Sequence, residues 1–131
     1  MLAYHVSPSL RINIVYQTLD KLKERLGEVI HPEALLHSDQ GIHYTHPEFQ
    51  KRVREIGIRQ SISRRGNCSD NAQMESLFGH MKDELGYKDC QTFESLELNI
   101  KDYMEECNYN RYQLTLKKMV PIEYWNHLLS A

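Results

Sequence analysis

Cysteine is scarce in this chain and unpaired. Cys68, Cys90 and Cys107 are odd in number, and no two stand in Cys-x-x-Cys spacing. That argues against a disulfide framework and for free thiols in a reducing compartment. It also argues against zinc: His43 and His46 are spaced like ligands, but no cysteine pair completes a four-ligand set. No run of about 18 apolar residues exists, which excludes a spanning helix and a membrane partner. The start, Met1-Leu2-Ala3-Tyr4-His5-Val6, has no basic stretch before an apolar one and no cleavage site, so cytoplasmic residence is the expectation. Neither sign of charge dominates. The net charge of −2 rules out a polycation along the whole length. The 131 residues suffice for one domain and one core.

The remaining sequence alternates between strand and helix patterns. Leu2 to Val6 reads as a short strand, broken by Ser7-Pro8-Ser9. Ile12, Val15, Tyr16, Leu19, Leu22 and Leu26 repeat at three and four, which predicts a helix over about 10–26, stopped by Gly27. Ala34 to Ser38 reads as a second strand, apolar on both faces and buried in a sheet. Thr45-His46-Pro47-Glu48 has the pattern of a capping box with proline in the first turn, opening a helix that Gly57 closes. Ile58 to Ser63 alternates like a strand. After a loop, Asp70 is a good N-cap for a helix over about 71–86. Its stripe is Met74, Leu77, Phe78, Met81 and Leu85. Further helices are expected at about 92–107, with Phe93, Leu96, Ile100, Tyr103, Met104 and Cys107 inward, and from Pro121 to Leu129, anchored by Trp125. This order implies an α/β layered fold with parallel strands.

Charge is uneven along this order. Lys51, Arg52, Arg54, Arg59, Arg64 and Arg65 face Glu55 alone over 51–65, and the stretch 83–106 is acidic. A basic centre of this kind fits a local phosphate-binding face, although solvated helix faces would look the same. Two carboxylates stand out. Asp39 falls just past the carboxyl end of a strand, where such sheets carry ligands. Glu75 lies on the helix after the loop, and Lys82 follows on its flank two turns later. Gly79 between them leaves room for a bulky ligand. Hard carboxylates can hold Mg²⁺ or Mn²⁺. Two such ions about 3.5–4 Å apart stabilise the attacking and leaving oxygens of a phosphodiester displacement. The alternative is a plain strand-exit turn at Asp39-Gln40-Gly41 and a surface glutamate.

Three longer words bear on that choice. They are His37-Ser38-Asp39-Gln40-Gly41-Ile42-His43-Tyr44-Thr45, then Gln60-Ser61-Ile62-Ser63-Arg64-Arg65-Gly66-Asn67-Cys68-Ser69-Asp70-Asn71-Ala72, then Glu75-Ser76-Leu77-Phe78-Gly79-His80-Met81-Lys82-Asp83-Glu84. In this order they closely resemble the catalytic core of bacterial insertion-sequence transposases related to retroviral integrases, the insertion-sequence-three family. Tyr109-Asn110-Arg111-Tyr112 and Pro121-Ile122-Glu123-Tyr124 resemble that family's end. The resemblance implies a ribonuclease H-like integrase catalytic core over 1–112, with a C-terminal helical tail of the same domain over 113–131. It implies a DDE metal site with Mg²⁺ or Mn²⁺ in a two-metal arrangement, and DNA transposition and integration by cleavage at element ends and strand transfer.

By the same resemblance Asp39 is the second catalytic and metal-binding acid and Glu75 the third. Lys82 contacts the element's end. Arg64, Arg65, Gln60 and Ser61 are expected on the DNA backbone. Gly41 and Tyr44 shape the loop after Asp39, and Asn71 caps the helix and orients Glu75. His37 and His43 are expected to pack or hydrogen-bond rather than catalyse. The family's first acid has no counterpart here: Asp20, before Asp39, falls in the first helix. The expectation is therefore an N-terminally truncated core that lacks its first two strands and is inactive alone. Leu2–Val6 is expected to pair in parallel beside Ala34–Ser38. A non-catalytic alternative remains: a protein that binds element-end or target DNA, or that joins other copies or intact transposase subunits and inhibits them. Salt-sensitive DNA binding without metal-dependent cleavage marks that class.

Overall fold

The computed structural model describes residues 1–64 and 71–130. Helices predominate. They are α1 (Asn13–Leu26), α2 (Ile42–Thr45), α3 (Pro47–Ile56), α4 (Ala72–Glu84), α5 (Phe93–Tyr109) and α6 (Pro121–Leu129), with strands β1 (Leu35–Ser38) and β2 (Arg59–Ile62). The chain divides into two compact units, Leu2–Leu77 and the residues from Phe78 onward with Met1.

In the first unit α1 ends where its apolar period ends. Gly27 takes φ 76°, and its N–H donates to the Lys23 carbonyl at 3.0 Å. Helix α3 likewise ends at Gly57, in the left-handed region with φ 90°. A side chain there would be strained, which is why glycine stops both helices. The buried faces of α1 and α3 meet: Val15, Leu19, Phe49 and Val53, with Ile58, form one core, and Val53 has no exposed surface. The Arg52 guanidinium lies 4.2 Å from the Tyr16 ring centroid, over the same helix pair.

Strands β1 and β2 pair in parallel, with Leu35 opposite Arg59 and Ser38 opposite Ile62. The connection through α2 and α3 is the crossover that parallel strands require. Among the described residues this sheet has two strands. The expected third, Leu2–Val6, has no regular secondary structure and does not add to β1. A strand needs a neighbour for its backbone groups as well as a fitting pattern. The sheet also corrects the expectation that Ala34–Ser38 is buried on both faces, since Leu35 is 56% exposed.

The start of α3 differs from the expected capping box. His46 is the N-cap, and its Nδ1 accepts the Glu48 N–H at 3.2 Å. Thr45 closes α2 instead, its hydroxyl donating to the Gly41 carbonyl at 3.3 Å. The unforeseen α2 turn has claimed the threonine.

In the second unit α5 is built as its pattern predicts, with Tyr103, Met104 and Cys107 buried. Thr92 caps it by accepting the Ser95 N–H at 3.1 Å. Helix α6 packs against α5 and carries a half-buried Trp125. Arg111 reaches Glu84 through two hydrogen bonds of 3.1 and 2.6 Å and lies 5.5 Å from the Tyr103 ring centroid. Helix α4 spans the join between the units. Its patterned stripe is not sealed: none of its residues is buried, and Met74 and Phe78 are among the exposed apolar side chains. The period shows which face wants cover, not that cover exists.

Candidate active site

Asp39 is the first residue past β1 and is exposed. Its Oδ1 accepts the Gly41 N–H at 2.8 Å, so the chain folds tightly back under the carboxylate and into α2. Gly41 has φ −55° and ψ 143°, a conformation open to any residue. Its reason is space. A Cβ there would lie 2.8 Å from Asp39 Oδ1 and 3.3 Å from Tyr44 Cδ2. The Tyr44 ring meets Phe49 edge-on at 5.5 Å between centroids. Burial pushes the Tyr44 phenol pKa up, and the charge of Asp39 pushes it further the same way. The two expected loop-shaping residues thus both bear on Asp39.

Behind this turn lies a polar network that joins the carboxyl ends of β1 and β2. Gln60 Nε2 donates to Ser38 Oγ at 3.1 Å and to the Tyr44 carbonyl at 3.0 Å. On the opposite face His37 places Nδ1 3.1 Å from Ser61 Oγ and Nε2 2.9 Å from Ser63 Oγ. The buried Ser63 donates through N–H and hydroxyl to the Ser38 carbonyl, at 2.9 and 3.2 Å, and its own carbonyl accepts from Gln40 at 3.1 Å. Gln60 and Ser61, expected on DNA, therefore spend polar atoms inside the protein. His37 is a hydrogen-bonding residue, as its type suggests. Ser38, Ser63 and Gln40 were missed in the sequence. The available signal was Ser61-x-Ser63, two hydroxyls at strand period opposite a histidine.

Glu75 occupies the first turn of α4, where the helix dipole favours a negative charge. Its exposed side chain has no hydrogen-bond or ion-pair partner among the described residues, so Asn71, just before α4, does not orient it by a hydrogen bond. Gly79 is exposed, with nothing within 4 Å of a built Cβ, and Lys82 is exposed in the last turn. Arg64 is exposed just past Ser63. Arg65 and the expected cap Asp70 lie outside the described residues. Asp39 and Glu75 belong to the same compact unit, and Lys82 to the other.

The donor set suits a hard divalent cation in kind: two exposed carboxylates, neither tied to a cationic side chain among the described residues. In number it is partial. Among the described residues no three His, Cys, Asp or Glu side chains gather as a metal-binding group.

A model of the integrase core domain matches residues 75–129. A protein of Escherichia coli K12, named as the transposase InsK of insertion sequence element IS150, is 39% identical over 127 residues, covering 96% of this chain and 44% of that protein. An uncharacterized transposase-like protein of Haemophilus influenzae is 42% identical over 104 residues, covering 79% of this chain and 48% of that protein. The chain thus spans about half the length of these curated relatives. Among solved structures, the catalytic core domain of BIV integrase superposes with a TM-score of 0.70 at 22% identity, covering 96% of this chain and 78% of that one. The fold is therefore that of the ribonuclease H-like integrase core, and the chain is a homologue of insertion-sequence transposases that carries integrase core sequence.

Proposed function

We propose that this chain supplies two of the three acids of a metal-dependent DNA strand-transfer site. The observation that carries the reading is Asp39: an exposed carboxylate at the exit of a parallel strand, in an integrase-core fold, on a turn shaped around it. Asp39 and Glu75 would hold Mg²⁺ or Mn²⁺. The bound metal would neutralise charge on the phosphate under attack by water or a 3′-hydroxyl. The Gly41 N–H holds the Asp39 carboxylate in place. Lys82, and Arg64 with Arg65, would bind phosphates of element ends and target DNA without reading their sequence. Among the described residues no third acid is placed like Asp39, so the chain would bind DNA but not cut it unaided. Self-association and pairing with intact transposase subunits belong to the same proposal. So does the non-catalytic alternative, favoured by the small donor set.

The test joins these residues behind the N-terminal half of the E. coli relative and measures Mg²⁺-dependent nicking of supercoiled DNA. Nicking by the joined protein that disappears with Asp39→Asn and with Glu75→Gln supports the reading. Nicking by a folded joined protein that survives both substitutions refutes it. The 131-residue chain alone should bind DNA in a salt-sensitive way without nicking. Lys82→Ala should reduce the slope of log affinity against log salt by about one.

A further inference from the structure

We propose that Gln60 is a positioning residue that holds the Asp39 turn in shape, rather than a contact for DNA. The inference rests on Asp39 being a metal-binding acid and adds how that acid is held. Gln60 lies on β2 opposite Leu36. Its Nε2 donates to Ser38 Oγ at 3.1 Å and to the Tyr44 carbonyl at 3.0 Å. Ser38 is the residue immediately before Asp39, and Tyr44 lies in the α2 turn that follows it. One amide thus pins both flanks of the carboxylate to the neighbouring strand.

The chemistry of the amide excludes the other role. A glutamine carries two N–H donors on one nitrogen. The Tyr44 carbonyl can only accept, so that nitrogen must face it, and its second hydrogen serves the Ser38 hydroxyl. No donor is left for a phosphate. What remains is the amide carbonyl, an acceptor that phosphate oxygens cannot use. The site is half-buried beside the buried Ser38, so breaking the two bonds strands polar groups away from water. Ser61, on the other face of β2, bonds to His37 and has no part in the clamp.

The test uses the 131-residue chain and NMR. Three readouts are followed: the Gly41 amide, which donates to Asp39; the exchange protection of the Tyr44 and Thr45 amides, which donate to the Gly41 carbonyl; and broadening of Gly41 by added Mn²⁺. Gln60→Leu keeps bulk without donors, and Gln60→Glu sets an acceptor against the Tyr44 carbonyl. Both should cut Tyr44 and Thr45 protection on the order of tenfold, the equivalent of one or two hydrogen bonds. Both should shift the Gly41 resonance and raise the Mn²⁺ midpoint, while Val53 protection stays unchanged. Ser61→Ala should change none of these. Should Gln60→Leu lose the fold, Ser38→Ala removes one arm of the clamp and must give a smaller shift in the same direction. Unchanged Tyr44, Thr45 and Gly41 signals in folded variants overturn the proposal, as does an unchanged Mn²⁺ midpoint. A wild-type chain that shows no Mn²⁺ broadening would sink the metal reading of Asp39. The loss of protection in the Gln60 variants would still decide the clamp.

Discussion

Replacing Gly41 by alanine should separate the stability of the Asp39 turn from its function. The new methyl carbon would start 2.8 Å from Asp39 Oδ1, where ordinary contact begins at 3.4 Å. The oxygen must retreat by roughly half an ångström, and it can, because it ends a rotatable side chain. Backbone strain adds nothing, since φ −55° and ψ 143° suit alanine. The loss is the Gly41 N–H bond to the carboxylate, about 1–2 kcal/mol at an exposed site. Restricting the unfolded chain returns about 0.4–1 kcal/mol. Net destabilisation should therefore stay near 1 kcal/mol, a small shift of the urea midpoint. The carboxylate, however, leaves its place by an amount at the tolerance of a metal site, about 0.5 Å. The Mn²⁺ response at residue 41 should weaken about tenfold, in line with the steep cost of misplacing a ligand. Gly79→Ala is the counterpart. Nothing stands within 4 Å of its Cβ, so it should stabilise α4 by about 0.5–1 kcal/mol and leave Mn²⁺ binding unchanged. Destabilisation of Gly41→Ala by roughly 3 kcal/mol or more, far beyond these contributions, would make the glycine a structural requirement. An unchanged Mn²⁺ response would refute the reasoning about space.

Three further outcomes are expected. Val53→Ala, at a site with no exposure, should cost about 2 kcal/mol through two lost methyl groups and the cavity they leave, seen as a lower urea midpoint with unchanged slope. The Tyr44 phenol is held above its usual value of 10.0 by burial and by Asp39, so folding stability should fall as pH rises past that value. Asp39→Asn should bring the phenol part of the way back in a spectroscopic titration, leaving the larger contribution of burial. Glu84 lies below its usual 4.5, chiefly through its hydrogen bonds from Arg111. Its contribution is thus present above that pH and lost as pH falls through the lowered value. Glu84→Gln should flatten this acid limb of the stability profile and also soften the alkaline limb, because burial and, beside it, the Glu84 charge hold the Tyr103 phenol above its usual 10.0.

Helices were the most legible part of the fold. Over Phe93–Tyr109 the inward-facing residues matched the buried face, and Pro121 marked the start of Pro121–Leu129. Both helices also depend on packing within one stretch of chain. Strands were less legible, because a strand is defined by a partner that its own residues do not name. Leu2–Val6 had the alternation and formed no strand, while Ile58–Ser63 had it and paired along Arg59–Ile62. At the site, Asp39, Gly41 and Tyr44 were legible as words and proved to be neighbours. Gln60 and Ser61 were legible as polar residues near Asp39, but their hydrogen-bond partners Ser38, Tyr44 and His37 were not, because a polar side chain on a strand does not name what it faces.

The order of these residues, by itself, determined the helix stops at Gly27 and Gly57, the position of Asp39 at a strand exit and the kinship with transposases. These are local or word-level properties, set by backbone conformation and residue type along the chain. Tertiary structure alone decided what surrounds the carboxylate. Parallel pairing brought Gln60 to Ser38 and Tyr44 and set His37 against Ser61 and Ser63. Those contacts join residues some twenty positions apart through hydrogen bonds of ordinary length, 2.9–3.1 Å, and no pattern along one strand encodes which residues will meet.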